Sequence, residues 1–151
     1  MAKYTITHTC GHTEEVQLFG PYKDRESRIK WLESKPCPDC IKAAATQAAN
    51  EASAQRGLAP LTGTDKQTAW AVTIRANVYK CIDMLAGVAA KFGNAEGKKM
   101  VTDWTAELNK HTEAKWWIDN RDKLPTYTNE SSARSAIYDF SNLFNKDPFA
   151  K

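Results

Sequence analysis

Apolar and polar residues alternate near the N-terminus of the chain and then change to a helical period. Residues 3–19 form two short alternating segments around a tight turn, which predicts a β-hairpin. Across residues 23–35 the apolar positions recur at helical spacing. Pro36 ends this helix, because the residue before a proline is pushed out of the α region. A tight turn is predicted over residues 37–40.

The next part of the chain changes from an alanine-rich segment to the longest helical pattern. Residues 41–55 can be helical by propensity but have few large apolar side chains to bury. Glycine and proline then interrupt the pattern, and Thr64 with Gln67 forms a capping-box signature for a new helix. That helix carries an apolar stripe at steps of three and four, which comprises Trp70, Ile74, Val78, Cys81, Ile82, Leu85, Val88, Ala89 and Phe92.

Three further helices are predicted after Gly93 and Asn94. Apolar stripes place them over Met100–Leu108, around residues 116–118, and from near Asn129 to a point before Pro148. The predicted fold class is therefore α+β and mainly α, with an N-terminal β-hairpin plus helix and a C-terminal helical bundle. The predicted boundaries are 1–42 for the hairpin-helix module, 43–63 for an Ala-rich connector and linker, and 64–151 for the bundle.

Composition and charge narrow the classes of function. Hydrophobic residues make up 42% and charged residues 26%, which is typical of a soluble globular chain. The net charge of +3 is too small to indicate nucleic-acid binding by electrostatics alone. No run of 18 apolar residues occurs, and the N-terminus lacks the pattern of a secretory signal. We therefore expect a cytoplasmic protein with no membrane partner.

The most specific motif in the chain is Cys10-Gly11-His12, separated by 24 residues from Cys37-Pro38-Asp39-Cys40. Tetrahedral zinc takes four soft or borderline donors, and two tight turns that each supply two donors are a common way to provide them. In a reducing cytosol such cysteines are better explained as metal ligands than as disulfides. The sequence therefore predicts structural Zn²⁺ bound by Cys10, His12, Cys37 and Cys40.

The small size of the N-terminal module supports the same prediction. Residues 1–42 offer too little apolar surface to fold on a hydrophobic core alone, whereas a structural zinc contributes on the order of 10 kcal/mol. His8 lies on the same strand face as Cys10 and is an alternative fourth ligand. The expected core comprises Tyr4, Ile6, Val16, Leu18, Phe19, Ile29, Trp31 and Leu32.

An enzymatic interpretation rests on one string of residues. Residues 12–14 and 36–40 spell the H-x-E…P-C-x-x-C pattern of zinc-dependent nucleobase deaminases, in which the glutamate shuttles protons. The segment after Glu14 is strand-like, however, and Cys10 supplies a fourth protein ligand that leaves no position for a catalytic water. The chain also lacks the P-loop and the common hydrolase and metalloprotease motifs. The prediction is that the protein is not an enzyme.

Two segments are candidate binding surfaces. The first predicted helix carries a basic edge, diluted by acidic residues, whose members are Lys23, Arg25, Arg28 and Lys30. The adjacent Trp116 and Trp117 point about 100° apart on a helix, so they cannot be buried equally well. Exposed tryptophan is enriched at interfaces, which makes Trp116, Trp117 and Arg121 a candidate partner surface. A tryptophan-rich core is the competing explanation.

Short motifs in both parts of the chain carry a family resemblance. They are Tyr4-Thr5-Ile6, Cys10-Gly11-His12, Leu18-Phe19-Gly20, Cys37-Pro38-Asp39-Cys40, residues 61–71 (LTGTDKQTAWA), Ile74-Arg75 and residues 114–119 (AKWWID). With them the chain resembles small uncharacterised zinc-ribbon-like proteins of bacteria, phages and plasmids. The resemblance implies a mobile genetic element, where small non-enzymatic proteins often bind and alter host machinery, including its defence systems.

The expected function is therefore that of a non-enzymatic zinc-binding effector of a mobile genetic element. Its expected partner is a host protein, with a host defence nuclease as a specific case, as in anti-CRISPR proteins. The alternative is a zinc-dependent accessory protein that binds nucleic acid through the basic edge of the first helix. A zinc deaminase is the third hypothesis.

Overall fold

The computed structural model describes residues 2–144 of the 151-residue chain. The fold is α+β and mainly α, as the hydrophobic pattern predicts. Its elements are β1 (Ala2–Thr7), β2 (Thr13–Leu18), α1 (Tyr22–Glu33), α2 (Pro38–Gln55), α3 (Asp65–Lys91), α4 (Ala95–Asn109), α5 (Ala114–Asp119), a 3₁₀ turn (Glu130–Ser132) and α6 (Ala133–Leu143). The chain divides into two compact units between Gln47 and Ala48, within α2. The end of the predicted bundle, residues 145–151, lies outside the described residues.

An antiparallel hairpin opens the N-terminal unit. Its register pairs Tyr4 with Val16 and Ile6 with Glu14. The turn is closed by two backbone hydrogen bonds, from the amide of His8 to the carbonyl of His12 and from the amide of Gly11 to the carbonyl of His8, both 2.9 Å long. Gly11 has a φ of +79°, a conformation that glycine adopts without steric cost. The hairpin turn thus holds residues 10–12 in a fixed loop.

The apolar core of the N-terminal unit is small. Ile6 is fully buried, whereas Phe19 and Trp31 are 68% and 44% exposed. Helix α1 contains no buried residue. The expected core is therefore corrected for Phe19 and Trp31, which lie at the surface because a single hairpin and one helix enclose too little volume to cover them. Apolar burial alone gives this unit little stability.

Helix α2 begins earlier than the sequence pattern predicts. Pro38 is its first residue, so residues 37–40 form the start of a helix and the predicted separate turn is wrong. Proline is well tolerated in the first helical turn, where its missing N–H has no intrahelical partner. The amide of Ile41 donates to the carbonyl of Cys37 over 3.0 Å, which makes Cys37 the residue that caps the helix. The alanine-rich segment is helical as far as Gln55.

Helix α3 is the central element of the C-terminal unit. The capping box of Thr64 and Gln67 is present, as predicted. Trp70 and Phe92, at the two ends of the predicted stripe, are 50% and 71% exposed, because this helix of 27 residues is longer than the helices that pack on it. The fully buried side chains of the core include Trp117, Phe140, Leu108, Val78 and Cys81.

The segment before α3 is tied to the start of α5. The amide of Thr62 donates to the carbonyl of Thr112 over 2.8 Å, and the carbonyl of Thr62 accepts from the amide of Ala114 over 2.9 Å. Gly63 has a φ of +150°, and a Cβ at this position would lie 3.1 Å from the Cβ of Ala114. Glycine is therefore required both by the backbone conformation and by the close approach of α5.

None of the helices within residues 2–144 is long and apolar enough to cross a membrane.

Candidate metal centre

Two parts of the N-terminal unit bring four donor side chains together. The hairpin turn carries Cys10 and His12, and the first turn of α2 carries Cys37 and Cys40. The donor atoms of all four residues lie within 4.8 Å of one another. The sequence motif thus predicts a cluster that the fold assembles, and this cluster can hold a metal ion.

Two distances within the cluster are close to those of a tetrahedral zinc site. Metal–sulfur and metal–nitrogen bonds to zinc imply about 3.6 Å between a sulfur and a nitrogen donor, and about 3.8 Å between two sulfurs. The Nδ1 atom of His12 lies 3.7 Å from Sγ of Cys37 and 3.2 Å from Sγ of Cys40. The ring of His12 therefore presents Nδ1 to the two thiols of the helix.

Backbone amides donate to two of the thiols. The amide of Cys37 lies 3.3 Å from Sγ of Cys10, and the amide of Cys40 lies 3.4 Å from Sγ of Cys37. The second bond is a cap of α2, so the positive end of that helix also faces the cluster. The hydrogen bond from the Cys37 amide, followed by the bond from the His12 backbone, lowers the pKa of the Cys10 thiol to about 6. The turn thus favours the thiolate that a metal binds.

The third thiol is held in its protonated form by its neighbours. Hydrogen bonds with the sulfurs of Cys37 and Cys10, then burial and charge repulsion, raise the pKa of Cys40 to about 11. Several thiolates in contact repel one another unless a cation lies between them. A bound dication supplies that charge and deprotonates a coordinating thiol, so the cluster is suited to a divalent metal.

His8, the alternative fourth ligand, has both ring nitrogens engaged elsewhere. Its Nδ1 lies 3.1 Å from the carbonyls of Leu32 and Lys35, and its Nε2 lies 3.2 Å from Glu14. Burial by itself lowers the pKa of His8, but the bonds to Glu14 and to the two carbonyls outweigh it and raise the pKa. The side chain of His8 therefore braces the hairpin against the end of α1 and lies outside the four-residue cluster.

Glu14, the acid of the deaminase-like string, lies on β2 and not on a helix. Its carboxylate pairs with Nε2 of His8 at 3.2 Å. With Cys10 in the cluster, four protein donors would fill the coordination sphere of a tetrahedral metal ion and leave no position for a catalytic water.

Comparison of the chain with protein-family models, with curated proteins and with solved structures finds no match.

The predicted partner surface is only partly at the surface of the C-terminal unit. Trp117 is fully buried, and its Nε1 donates to the carbonyl of His111 over 2.9 Å. Trp116 is half-buried and stacks on the ring of His111 with 3.6 Å between ring centroids. Trp117 therefore does not lie at the predicted surface, because the two side chains diverge and α5 directs the side chain of Trp117 into the core.

Arg121 lies beside an exposed tryptophan, Trp70, whose position on the apolar stripe predicts a place in the core. Its guanidinium lies 5.5 Å from the ring centroid of Trp70, which is half exposed. The helical period placed Trp70 on the apolar stripe and carried no signal for its exposure. Arg121 and Trp70 therefore form a surface pair, which we call the Trp70–Arg121 pair.

The four predicted basic residues of α1 differ in their surroundings. Arg25 is half-buried and lies 5.9 Å from the ring centroid of Tyr4, and Lys30 pairs with Glu26 at 3.3 Å. Lys23 and Arg28 are exposed. Arg28 lies over the ring of Trp31 at 4.1 Å, and Lys35, which is not among the predicted basic residues, lies over the same ring at 3.9 Å. These contacts place two cations beside one exposed aromatic ring.

Proposed function

We propose that the protein is a non-enzymatic binding protein whose N-terminal unit is folded around a structural zinc ion. The observation that carries the proposal is the closed cluster of three cysteines and one histidine, with all donor atoms within 4.8 Å. Thiolate and imidazole donors in a tetrahedral arrangement favour zinc over the hard cations Mg²⁺ and Ca²⁺. Four protein ligands leave no open position for a substrate, which supports a structural role.

The weak core of the N-terminal unit explains why zinc is needed. Helix α1 buries no residue, and three large aromatic side chains of the unit are exposed, namely Phe19, Tyr22 and Trp31. Zinc joins the hairpin turn to the start of α2 and supplies the folding free energy that apolar burial does not. Removal of zinc with a strong chelator should therefore abolish the hairpin, as measured by loss of its amide resonances.

The binding role is assigned to the Trp70–Arg121 pair. Tryptophan and arginine are the residue types that most often dominate the free energy of protein–protein binding. A half-exposed indole with a guanidinium over its ring offers apolar area and hydrogen-bond donors to the same partner. We therefore propose a protein partner that binds at this surface of the C-terminal unit.

The resemblance to small zinc-ribbon-like proteins of phages and plasmids supports a host protein as that partner. A host defence nuclease is the specific case that we propose. The proposed setting is the cytoplasm of the bacterial host.

Affinity recovery from host extract at moderate salt, with and without added nuclease, tests this proposal. We expect a defined host protein that stays bound after nuclease treatment and is lost with Trp70→Ala or Arg121→Ala. Phe92→Ala is the matched control, because Phe92 is an exposed aromatic residue that caps the C-terminal end of the same helix. Retention of the same protein by all three variants would contradict the assigned surface.

A second candidate function is nucleic-acid binding by α1. The observation that favours it is the position of Arg28 and Lys35 over the ring of Trp31. Aromatic rings and cations held together are a common means of binding single-stranded nucleic acid. The net charge of +3 and the ion pair of Lys30 with Glu26 weaken this candidate.

Salt dependence distinguishes the two candidates. Phosphate contacts release counterions, so binding to a single-stranded oligonucleotide should weaken steeply between low and moderate salt and be reduced by Arg28→Ala. Lys123→Ala is a control that removes an exposed cation of the other unit. A flat salt profile would reject nucleic-acid binding.

A further inference from the structure

A cavity of about 250 Å³ lies within the C-terminal unit. Helix α3, the end of α4 and the segment after α2 form its walls. The side chains that matter for its chemistry are those of Arg56, Arg75, Tyr79, Leu108, Asn109 and His111. Its volume corresponds to about eight water molecules at the density of liquid water, which suits a small organic molecule and not a dinucleotide.

The cavity contains a buried cation without a counter-ion. Arg75 is only 5% exposed. Its Nη1 donates to the carbonyl of Ala59 over 2.9 Å, whereas its Nε is buried without an acceptor. Among the described residues no carboxylate forms an ion pair with Arg75, and burial lowers its pKa.

An uncompensated buried charge is costly, and an anion in the cavity would offset that cost. Removal of a charged group from water without a partner is unfavourable by several kcal/mol. The other cation of the cavity, Arg56, already pairs with the carboxylate of Asp83 and lies 5.2 Å from the ring centroid of Tyr79. Arg75 is therefore the group that an incoming anion would neutralise.

The remaining walls indicate the size and shape of the ligand. The hydroxyl of Tyr79 donates to the side-chain oxygen of Asn109, which leaves the amide nitrogen of Asn109 as a donor. The ring of Tyr79, the side chain of Leu108 and the ring of His111 supply apolar and aromatic surface. An acidic group on a small apolar or aromatic body matches these walls.

We propose that this cavity binds a small organic oxyanion, whose carboxylate or phosphate group pairs with the guanidinium of Arg75. The planar guanidinium presents paired donors to either group, so both acids share the recognition chemistry. This site lies in the C-terminal unit and does not depend on the zinc cluster or on the Trp70–Arg121 pair.

The test is an NMR titration of the full-length protein with three probes of similar size: benzoate, phenyl phosphate and neutral benzyl alcohol. We expect saturable shifts of the Arg75 Nε–H and of the amides of Tyr79 and Asn109 with at least one acid, and much weaker shifts with the alcohol. The tighter of the two acids identifies the preferred group. Equal binding of the alcohol, or no saturable shift with either acid, would overturn the proposal.

Arg75→Met supplies the second arm, because methionine fills the apolar space without charge. Its affinity for the preferred acid should fall about tenfold or more, as expected for loss of a charge-assisted hydrogen bond. Arg134→Met is the matched control, since Arg134 is exposed on α6, and its affinity should be unchanged. An unchanged affinity in Arg75→Met would overturn the proposal. If that variant does not fold, the difference in binding between the two acids and the alcohol, measured on the wild-type protein, decides whether the proposal holds.

Discussion

Before any cation binds, backbone amides favour the ionised form of Cys10. The amide of Cys37 donates a hydrogen bond to Sγ of Cys10, and the amide of Cys40 donates one to Sγ of Cys37. One thiol is thereby acidified to a pKa of about 6, while Cys40, which donates to its neighbours, has a pKa of about 11. His12 and His8 have different tasks, since His12 faces the thiols and His8 bonds to backbone carbonyls.

Substitution of the two histidines should separate these tasks. His12→Ala removes a ligand and should weaken zinc binding by tenfold or more, as measured by competition with a chromophoric chelator. His8→Ala removes bonds to Leu32, Lys35 and Glu14 and should lower the thermal stability while one zinc per chain is retained. Loss of zinc in His8→Ala with full retention in His12→Ala would contradict the ligand assignment.

Cys81 should behave differently from the other three cysteines. It is fully buried on α3, as its place on the apolar stripe predicts, and burial raises the pKa of its thiol to about 11. At pH 8 the thiol is therefore protonated and inaccessible. After zinc removal, a thiol reagent should modify Cys10, Cys37 and Cys40 and leave Cys81 unmodified until denaturant is added. Equal reaction of all four thiols without denaturant would contradict this expectation.

At the scale of elements, the sequence pattern predicts type and order better than extent. Gln67 lies three residues after Thr64, so the start of α3 is predictable from local chemistry. The start of α2 is missed, because Pro38 is compatible both with a turn and with the first turn of a helix. The exposure of Trp70 depends on how far neighbouring helices extend, and a periodic pattern does not encode that length.

The donor set of the candidate site is contained in two short motifs, so it can be predicted from sequence. Cys10 and His12 share one turn, and Cys37 and Cys40 share another, which makes the local geometry nearly independent of the rest of the fold. Arg75 could not be identified in this way. Its place on α3 beside the stripe residue Ile74 predicts nothing about a cavity, because the cavity arises from distant segments that meet around Arg75.

Gly63 offers a test of the packing between the start of α3 and α5. Gly63→Ala forces a Cβ to within 3.1 Å of the Cβ of Ala114 at a φ of +150°, so the free energy of unfolding should fall by about 1–3 kcal/mol. Gly87→Ala is the control, because its Cβ would meet nothing within 4 Å inside α3. Gly87→Ala should raise stability by up to about 1 kcal/mol. Chemical denaturation measures both, and equal effects would contradict the packing.

At the scale of the whole molecule, the two units are stabilised by different means. The C-terminal unit has a continuous core that includes Trp104 stacked on Phe140 at 5.1 Å between ring centroids. Among the described residues of the N-terminal unit, Ile6 is the fully buried large apolar residue. The same unit contains the four-donor cluster. We therefore expect apolar burial to be sufficient for one unit and metal binding to be needed for the other.

This difference predicts a selective effect of chelation. Zinc removal should abolish the dispersed amide resonances of β1 and β2 and leave those of α3 and the core around Phe140 in place. Re-addition of Zn²⁺ should restore the hairpin, whereas Mg²⁺ should not, because thiolate donors discriminate against hard cations. Loss of both sets of resonances at the same chelator concentration would contradict independent stabilisation of the two units.

Native mass spectrometry of the full-length protein, purified without added metal, tests the central claim most directly. A structural zinc held by Cys10, His12, Cys37 and Cys40 predicts one Zn²⁺ per chain, and none in Cys37→Ser. A metal-free wild-type protein whose hairpin is fully folded would contradict that claim.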